Sequence, residues 1–324
     1  MPTTVDELIQ ATRDQLDEAN TANVTDPQLI QALNRAQHRA YQWTAIHYED
    51  LAWAETDVTT TAGTDTYDIP AKAYGRRIEM VESKVNNISY KVQRISNHKK
   101  SNYSSNSQVT RPYYYSIIKN KIQLFPSPGT GNTITVHYAR RPENLQTNQG
   151  RIETIDTTSS YFLVDSLGSD ISALTTGFNS YINVIDYTTG EIKESYQIAA
   201  IDTDLNKIEI KTAGLTRSSV LGNTISSSIT TSGEATPVVD DYFAIVTGTC
   251  VPELPEFYTD YLIQYAVVEI RRRFSENIID EKAHLKELEE EIKNMWAGRE
   301  QSHRVAKRSK AFGRGYSSFR RYFS

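Results

Sequence analysis

The sequence predicts an α+β protein: a helical core of four main helices, an antiparallel β-meander, an inserted small all-β barrel or sandwich, and an extended C-terminal arm. Three observations predict it. Apolar residues recur at helical spacing near the two ends of the 324-residue chain, and the middle is cut into short β-forming runs by turn residues. The last stretch is basic and aromatic and keeps no periodicity.

Thr4-Val5-Asp6-Glu7 has the form of a capping box, and Val5, Leu8, Ile9, Thr12 and Leu16 follow at helical spacing, so a first helix is expected over 4–19. Asp26 before Pro27 reads as the N-cap of a second, over 26–47, with Leu29, Leu33, Ala36, Ala40 and Trp43 as its buried stripe. Strand signals follow at 52–59 and 66–69, around a turn at 61–65, and at 76–84 and 89–95, around Asn86-Asn87. Residues 96–108 are polar and read as a loop. In TRPYYYSIIKNKIQLFPSPGTGNTITVHYARRP, residues 110–142, strands at 113–118 and 121–125 flank Lys119-Asn120, where Asn120 is the residue suited to a positive φ. Pro126-Ser127-Pro128-Gly129 ends the second strand and 133–140 alternates as a third, which together read as a three-stranded meander.

Residues 150–250 are dense in Ser and Thr. Strands are expected at 161–165, 180–187, 191–202, 207–211 and 242–247, with hairpin turns at Thr188-Thr189-Gly190 and Asp204-Leu205-Asn206. From Pro255 a third helix runs to about 274. Leu262, Ile263, Tyr265, Ala266, Val267, Val268 and Ile270 are apolar on nearly every side of it, which predicts a central buried helix. A fourth starts at Asp280 and runs to about 298, with Leu285, Leu288, Ile292 and Met295 on one face. The expected division is therefore 1–149 with 251–298 as the helical core and meander, 150–250 as an inserted all-β domain, and 299–324 as the arm.

Composition narrows the function. Apolar residues make up 38% and charged residues 23%, ordinary for a soluble chain. No apolar run approaches the roughly 18 residues of a membrane helix, and MPTTVDELIQ has neither the basic start nor the apolar stretch of a signal peptide. One cysteine, Cys250, excludes an intrachain disulfide and a paired-cysteine metal site, and reads as a small buried side chain in a reducing cytoplasm. The net charge of −5 is unevenly spread. Residues 299–324 carry eight Lys/Arg against Glu300, and residues 150–250 carry five basic against thirteen acidic side chains. A basic tail on an acidic body implies a separate partner for the tail.

Motifs for chemistry are absent. His38, His47, His98, His137, His284 and His303 are scattered, with no metal-binding spacing. Gly129-Thr130-Gly131-Asn132 joins two strands and lacks the later residues of a nucleotide loop, and no GxSxG occurs. Asp240-Asp241 and Glu289 to Glu291 read as a loop and a solvated helix face rather than as a glycosidase pair. No enzyme activity, catalytic residue, cofactor or metal is expected. The arm stands out: Arg304, Lys307, Arg308, Lys310, Arg314, Arg320 and Arg321 interleave with Phe312, Tyr316, Phe319, Tyr322 and Phe323. Such a segment suits single-stranded nucleic acid, through phosphate contact and stacking, or a partner protein whose pockets take the aromatics.

Several stretches in order resemble the head-to-tail adaptor (connector) proteins of tailed bacteriophages. TTVDELIQATRDQLDEAN with VTDPQLIQALNRAQHRAY looks like that family's two N-terminal helices, and TYDIPAKAYGRRIEMVE like its strand with a Leu/Ile-Pro pair and a following positively charged edge. RPYYYSIIKNKIQLFPSPGTGNTITVHYARRP is similar to its Arg-Pro-x-Tyr-Tyr hairpin and closing Arg-Arg-Pro, and VPELPEFYTDYLIQYAVVEIRRRF to its long helix entered through Leu-Pro. These cover about 1–149 and 251–298. The resemblance implies a virion protein made in the host cytoplasm. It implies a homo-oligomeric ring in the neck, usually a dodecamer, that binds the portal protein and the tail or nozzle protein, with double-stranded DNA passing through its lumen and no membrane partner. The aromatic hairpin is then packing and interface surface, and the twelve arm residues named above are the expected contacts to the portal or a neighbouring subunit. The alternatives are a nucleic-acid-binding protein that uses the arm, and a tail or fibre connector lower in the neck.

Overall fold

A computed structural model describes residues 3–16, 23–47, 53–85, 88–98, 111–172, 180–217, 219–220, 223–229, 236–246, 248–274 and 278–295. It overturns the expected helical core. The chain is mostly β, with sheets curled into two half-barrels, and only about 30% of it is helical. Among the described residues five α-helices form, one of them a single turn, beside seventeen strands. The misreading has a physical cause. A long amphipathic helix shows its stripe in one window, whereas a short strand shows only two or three apolar residues; many such strands outweigh the helices in buried side chains.

In the notation used below, α1 is Val5–Leu16, α2 Asp26–His47, β1 Trp53–Thr59, β2 Thr66–Asp68, β3 Ala73–Val85, β4 Ile88–Arg94, β5 Tyr114–Ile118, β6 Lys121–Phe125 and β7 Thr133–Arg140. Strands β8 Asn144–Leu145, β9 Ile152–Asp156 and β10 Tyr161–Val164 precede the single turn α3, Ser169–Ser172. Then come β11 Tyr181–Ile185, β12 Ile192–Asp202, β13 Lys207–Ile210, β14 Ser219–Val220, β15 Asn223–Ser226, β16 Tyr242–Ile245 and β17 Gly248–Thr249. The chain ends its described part with α4, Thr259–Arg273, and α5, residues 279–295. It divides into two compact units: Met1–Tyr48 with Glu143–Thr216 and Ile225–Ser324, and Glu49–Pro142 with Arg217–Thr224.

In the second unit, strands run in the order β1-β7-β3-β4-β5-β6-β2. The expected three-stranded meander over 110–142 is therefore corrected. β5 and β6 pair as a hairpin, but β7 leaves β6 and lies antiparallel between β1 and β3. Pro126 and Pro128 have no N–H for a ladder with β6, and Thr60, buried at the end of β1, captures the returning chain. Its hydroxyl donates to the carbonyls of Gly129 (2.7 Å) and Asn132 (3.0 Å), while Gly131 N–H donates to the Thr60 carbonyl. Central placement explains why six consecutive residues of β7 are buried although its sequence alternates. The core here joins Ile78, Val81, Val92, Tyr115, Ile122, Leu124, Ile134, Val136 and Tyr138.

At the tip of the β5–β6 hairpin, Lys119 rather than Asn120 holds the left-handed backbone, at φ 55. A Cβ there is strained. Lys119→Gly is expected to stabilise the second unit by about 0.5–1 kcal/mol, the relief of strain exceeding the added entropy of the unfolded chain. A urea midpoint that falls in this variant refutes the assignment of strain.

In the first unit the long β12 is shared between β11 and β13, with register shifts at both pairings, and β10 and β9 continue from β13 while β16 lies on β11. Phe162 meets Phe243 edge-on at 5.3 Å and Tyr196 at 5.5 Å, within a core that also takes Ile152, Val164, Ile182, Val184, Ile198 and Ile208. α1, α2 and α4 pack on one another. The capping box forms, Thr4 N–H donating to Glu7 and Glu7 N–H to Thr4 Oγ1. The cap of α2 is Thr25, not Asp26: Gln28 Oε1 accepts from Thr25 N–H, and Asp26 instead pairs with the buried Arg13 at 2.5 Å. The β-segment is tied to the helices at its start. Asn34 accepts from Leu145 N–H (2.7 Å) and donates to its carbonyl, and Gln37 donates to the Glu143 carbonyl.

Candidate interaction surface

The twelve arm residues between Arg304 and Phe323 that the sequence nominates as partner contacts lie outside the described residues. Among the described residues, no group of three or more His, Cys, Asp or Glu side chains could hold a metal ion, and no helix is long and apolar enough to cross a membrane. Burial pushes the Cys250 thiol up to about 12, so it is a core side chain and a poor nucleophile. The Asp240-Asp241 pair is split: Asp240 meets Arg151 at 3.3 Å, whereas Asp241 is fully buried against Lys193 at 3.0 Å. Those carboxylates hold the fold together.

Two places present side chains suited to contact. The first is a cleft of about 290 Å³ among α2, α4 and α5 in the first unit. Tyr265, Val268 and Leu285 give it an apolar floor, and Arg39, Arg272, Lys282 and Lys286 place cations around the rim beside Glu269 and Glu289. Each acid is already neutralised. Glu289 meets Arg39 at 3.1 Å and Lys293 at 3.8 Å, and Glu269 meets Arg35 and Arg273. The Arg39 guanidinium also lies 5.7 Å from the centre of the Trp43 ring and 5.9 Å from that of Tyr265. Arg272 and Lys282 are exposed and have no ion-pair partner among the described residues. The cleft therefore offers two uncommitted cations above an apolar surface. Helix packing makes it: Arg271 pairs with Glu281, and Gln264 donates to the Glu281 carbonyl, which sets α5 against α4.

The second place is in the other unit. Arg111 lies 3.8 Å over the ring of Tyr90 and 5.2 Å from that of Tyr113. Of the three consecutive tyrosines, Tyr115 is in the core, Tyr114 is half-buried and Tyr113 is exposed. The aromatic stretch thus divides between core packing and an Arg–Tyr stack of the kind that concentrates binding energy in interfaces. The sequence reading touched Arg111 only within the Arg-Pro-x-Tyr-Tyr resemblance and did not single out Tyr90, Arg272 or Lys282. Only the run Arg271-Arg272-Arg273 carried a local signal, and nothing in it tells which arginine is left unpaired.

Residues 3–165 match the family model described as SU10 adaptor protein, just over half of the chain. The match runs from the capping box of α1 through the sheet of the second unit to the end of β10. No curated protein matches the chain.

Proposed function

The chain belongs to the SU10 adaptor protein family, and from that premise we propose that it is a structural protein of the phage neck. It forms a homo-oligomeric ring that joins the portal to the tail and leaves a lumen for double-stranded DNA. The observation that carries this reading is the family match, continuous over both N-terminal helices and the curled sheet that follows them. The surfaces support it. An exposed Arg–Tyr stack and a cleft with an apolar floor, whose rim holds two cations without an ion-pair partner among the described residues, suit protein contacts, and the protein works by contact rather than by catalysis. The basic aromatic arm is its grip on the portal.

The test is electron microscopy and co-sedimentation of the purified full chain, alone and mixed with portal complexes. Rings that sit coaxially on the portal are the expected result. A chain that binds no portal complex overturns the reading. Tight, salt-sensitive DNA binding by the isolated chain, lost on removal of 299–324, turns the conclusion to a nucleic-acid-binding protein.

A further inference from the structure

The hairpin between β12 and β13 ends in a knob. Leu205 at its tip is 64% exposed, while Asp202 and Asp204 beside it are also exposed. The backbone of this tip is fixed. Asp202 Oδ1 accepts the N–H groups of Asp204 (3.0 Å) and Leu205 (3.2 Å). Asn206 takes a left-handed φ of 49 and donates from its amide to the Asp165 carbonyl. The Asp204 carboxylate has no side-chain partner among the described residues. A bare leucine that follows two exposed acids on a fixed turn gains nothing in an isolated chain, because its apolar surface stays in water. As a preformed anchor it loses little entropy on binding.

The cleft among α2, α4 and α5 is complementary to this knob in both respects, with Tyr265, Val268 and Leu285 on its floor and, in Arg272 and Lys282, two cations without an ion-pair partner among the described residues. We propose that Asp204 and Leu205 of one copy dock into this cleft on a second copy, Leu205 on Tyr265, Val268 and Leu285, and Asp204 against Arg272 and Lys282. The proposal rests on the adaptor reading and deepens it by naming the two faces that meet. Knob and cleft are different patches of the same chain, so the contact is head-to-tail and repeats around a closed ring. Charge argues against the other occupants. The arm of 299–324, with eight Lys/Arg against Glu300, is repelled by Arg272 and Lys282. A nucleic-acid phosphate satisfies those cations but leaves the floor bare.

Mass photometry of the full chain across a concentration series tests this. Leu205→Asp is expected to raise the concentration of half-assembly about thirtyfold or more, as for a central anchor. Arg272→Glu and Lys282→Glu each weaken assembly about tenfold. Asp204→Arg combined with Arg272→Asp recovers most of what either loses alone. All four positions are exposed, and thermal melts identify any variant that fails to fold. Assembly of Leu205→Asp at wild-type concentrations overturns the contact, as does an exchange that recovers nothing. A chain truncated after Gly298 that alone loses assembly assigns the interface to the arm, against the proposal. A wild type that stays monomeric at every concentration also overturns it, while the adaptor reading is judged separately by portal binding.

Discussion

Lys193→Ala is expected to destabilise the folded chain by about 3–5 kcal/mol, the cost of leaving a buried charge without its partner. Lys193 is 8% exposed and bridges Asp186 at 2.9 Å and Asp241 at 3.0 Å. Asp241 has no access to water. It also accepts N–H groups from Val238, in the loop before β16, and from Tyr187, in the turn after β11, which ties the two together. Those amide bonds persist in the variant, but they do not balance the charge. Burial acts to raise the Asp186 carboxyl, yet hydrogen bonds from Thr188, Lys193 and Thr189 outweigh it and hold the group well below the usual range. Burial acts to lower the Lys193 ammonium, and its bonds to Asp186 and Asp241 more than reverse this. The Asp186 contribution is thus complete above about pH 4 and fades as pH falls below that. The Lys193 contribution is complete up to about pH 10 and is lost as pH rises through its raised value. Urea midpoints measured across pH should therefore show both limbs in the wild type and a much flatter basic limb in Lys193→Ala. The double variant Lys193→Met with Asp241→Asn should be the more stable of the two, because the fully buried Asp241 charge is gone and the partly exposed Asp186 keeps its bonds from Thr188 and Thr189. A loss under about 1 kcal/mol in Lys193→Ala means the triad is as weak as a surface pair.

This triad also shows what the sequence could not disclose. Lys193 lies on β12 and Asp241 in the loop before β16, far apart in the chain, and nothing around either signals the other. By contrast the stripes Val5, Leu8, Ile9 and Leu29, Leu33, Ala36, Ala40 were readable, and every one of these side chains is buried. A helix writes its core contacts into one window of sequence, whereas a strand leaves its partner unwritten. The course of β7 is the clearest case. Its pattern announces a strand but not its neighbours, and Thr60, which captures the returning chain, is the middle of three consecutive threonines 73 residues before it. The strands β8, β14 and β17 have two residues each, too short to carry any period. That is why the sheets were undercounted and the helices overweighted. The knob was legible as a turn at Asp204-Leu205-Asn206. That its leucine stays in water, and that two cations on the helices have no ion-pair partner among the described residues, follow only from packing.

Truncation after Gly298 is expected to abolish co-sedimentation with portal complexes at concentrations where the full chain saturates them. The argument rests on composition. Five aromatics fall within Phe312 to Phe323, among seven cations from Arg304 to Arg321, and the two kinds of side chain contribute differently. An aromatic anchor that leaves water costs about 2 kcal/mol or more when cut to alanine. A charge at the rim of an interface chiefly changes the association rate and its salt dependence. Phe312→Ala with Phe319→Ala should then weaken portal binding about a hundredfold or more, with little change in its dependence on salt. Arg308→Ala should weaken it less than about tenfold at low salt, and less still at high salt, where the charge is already screened. The opposite ranking, with single arginines dominant and binding that collapses as salt rises, marks the arm as a polycation acting on phosphates. A truncated chain that docks with full yield removes the arm from the portal contact altogether. The grip then has to be sought on the described surfaces, first at the exposed stack of Tyr90, Arg111 and Tyr113.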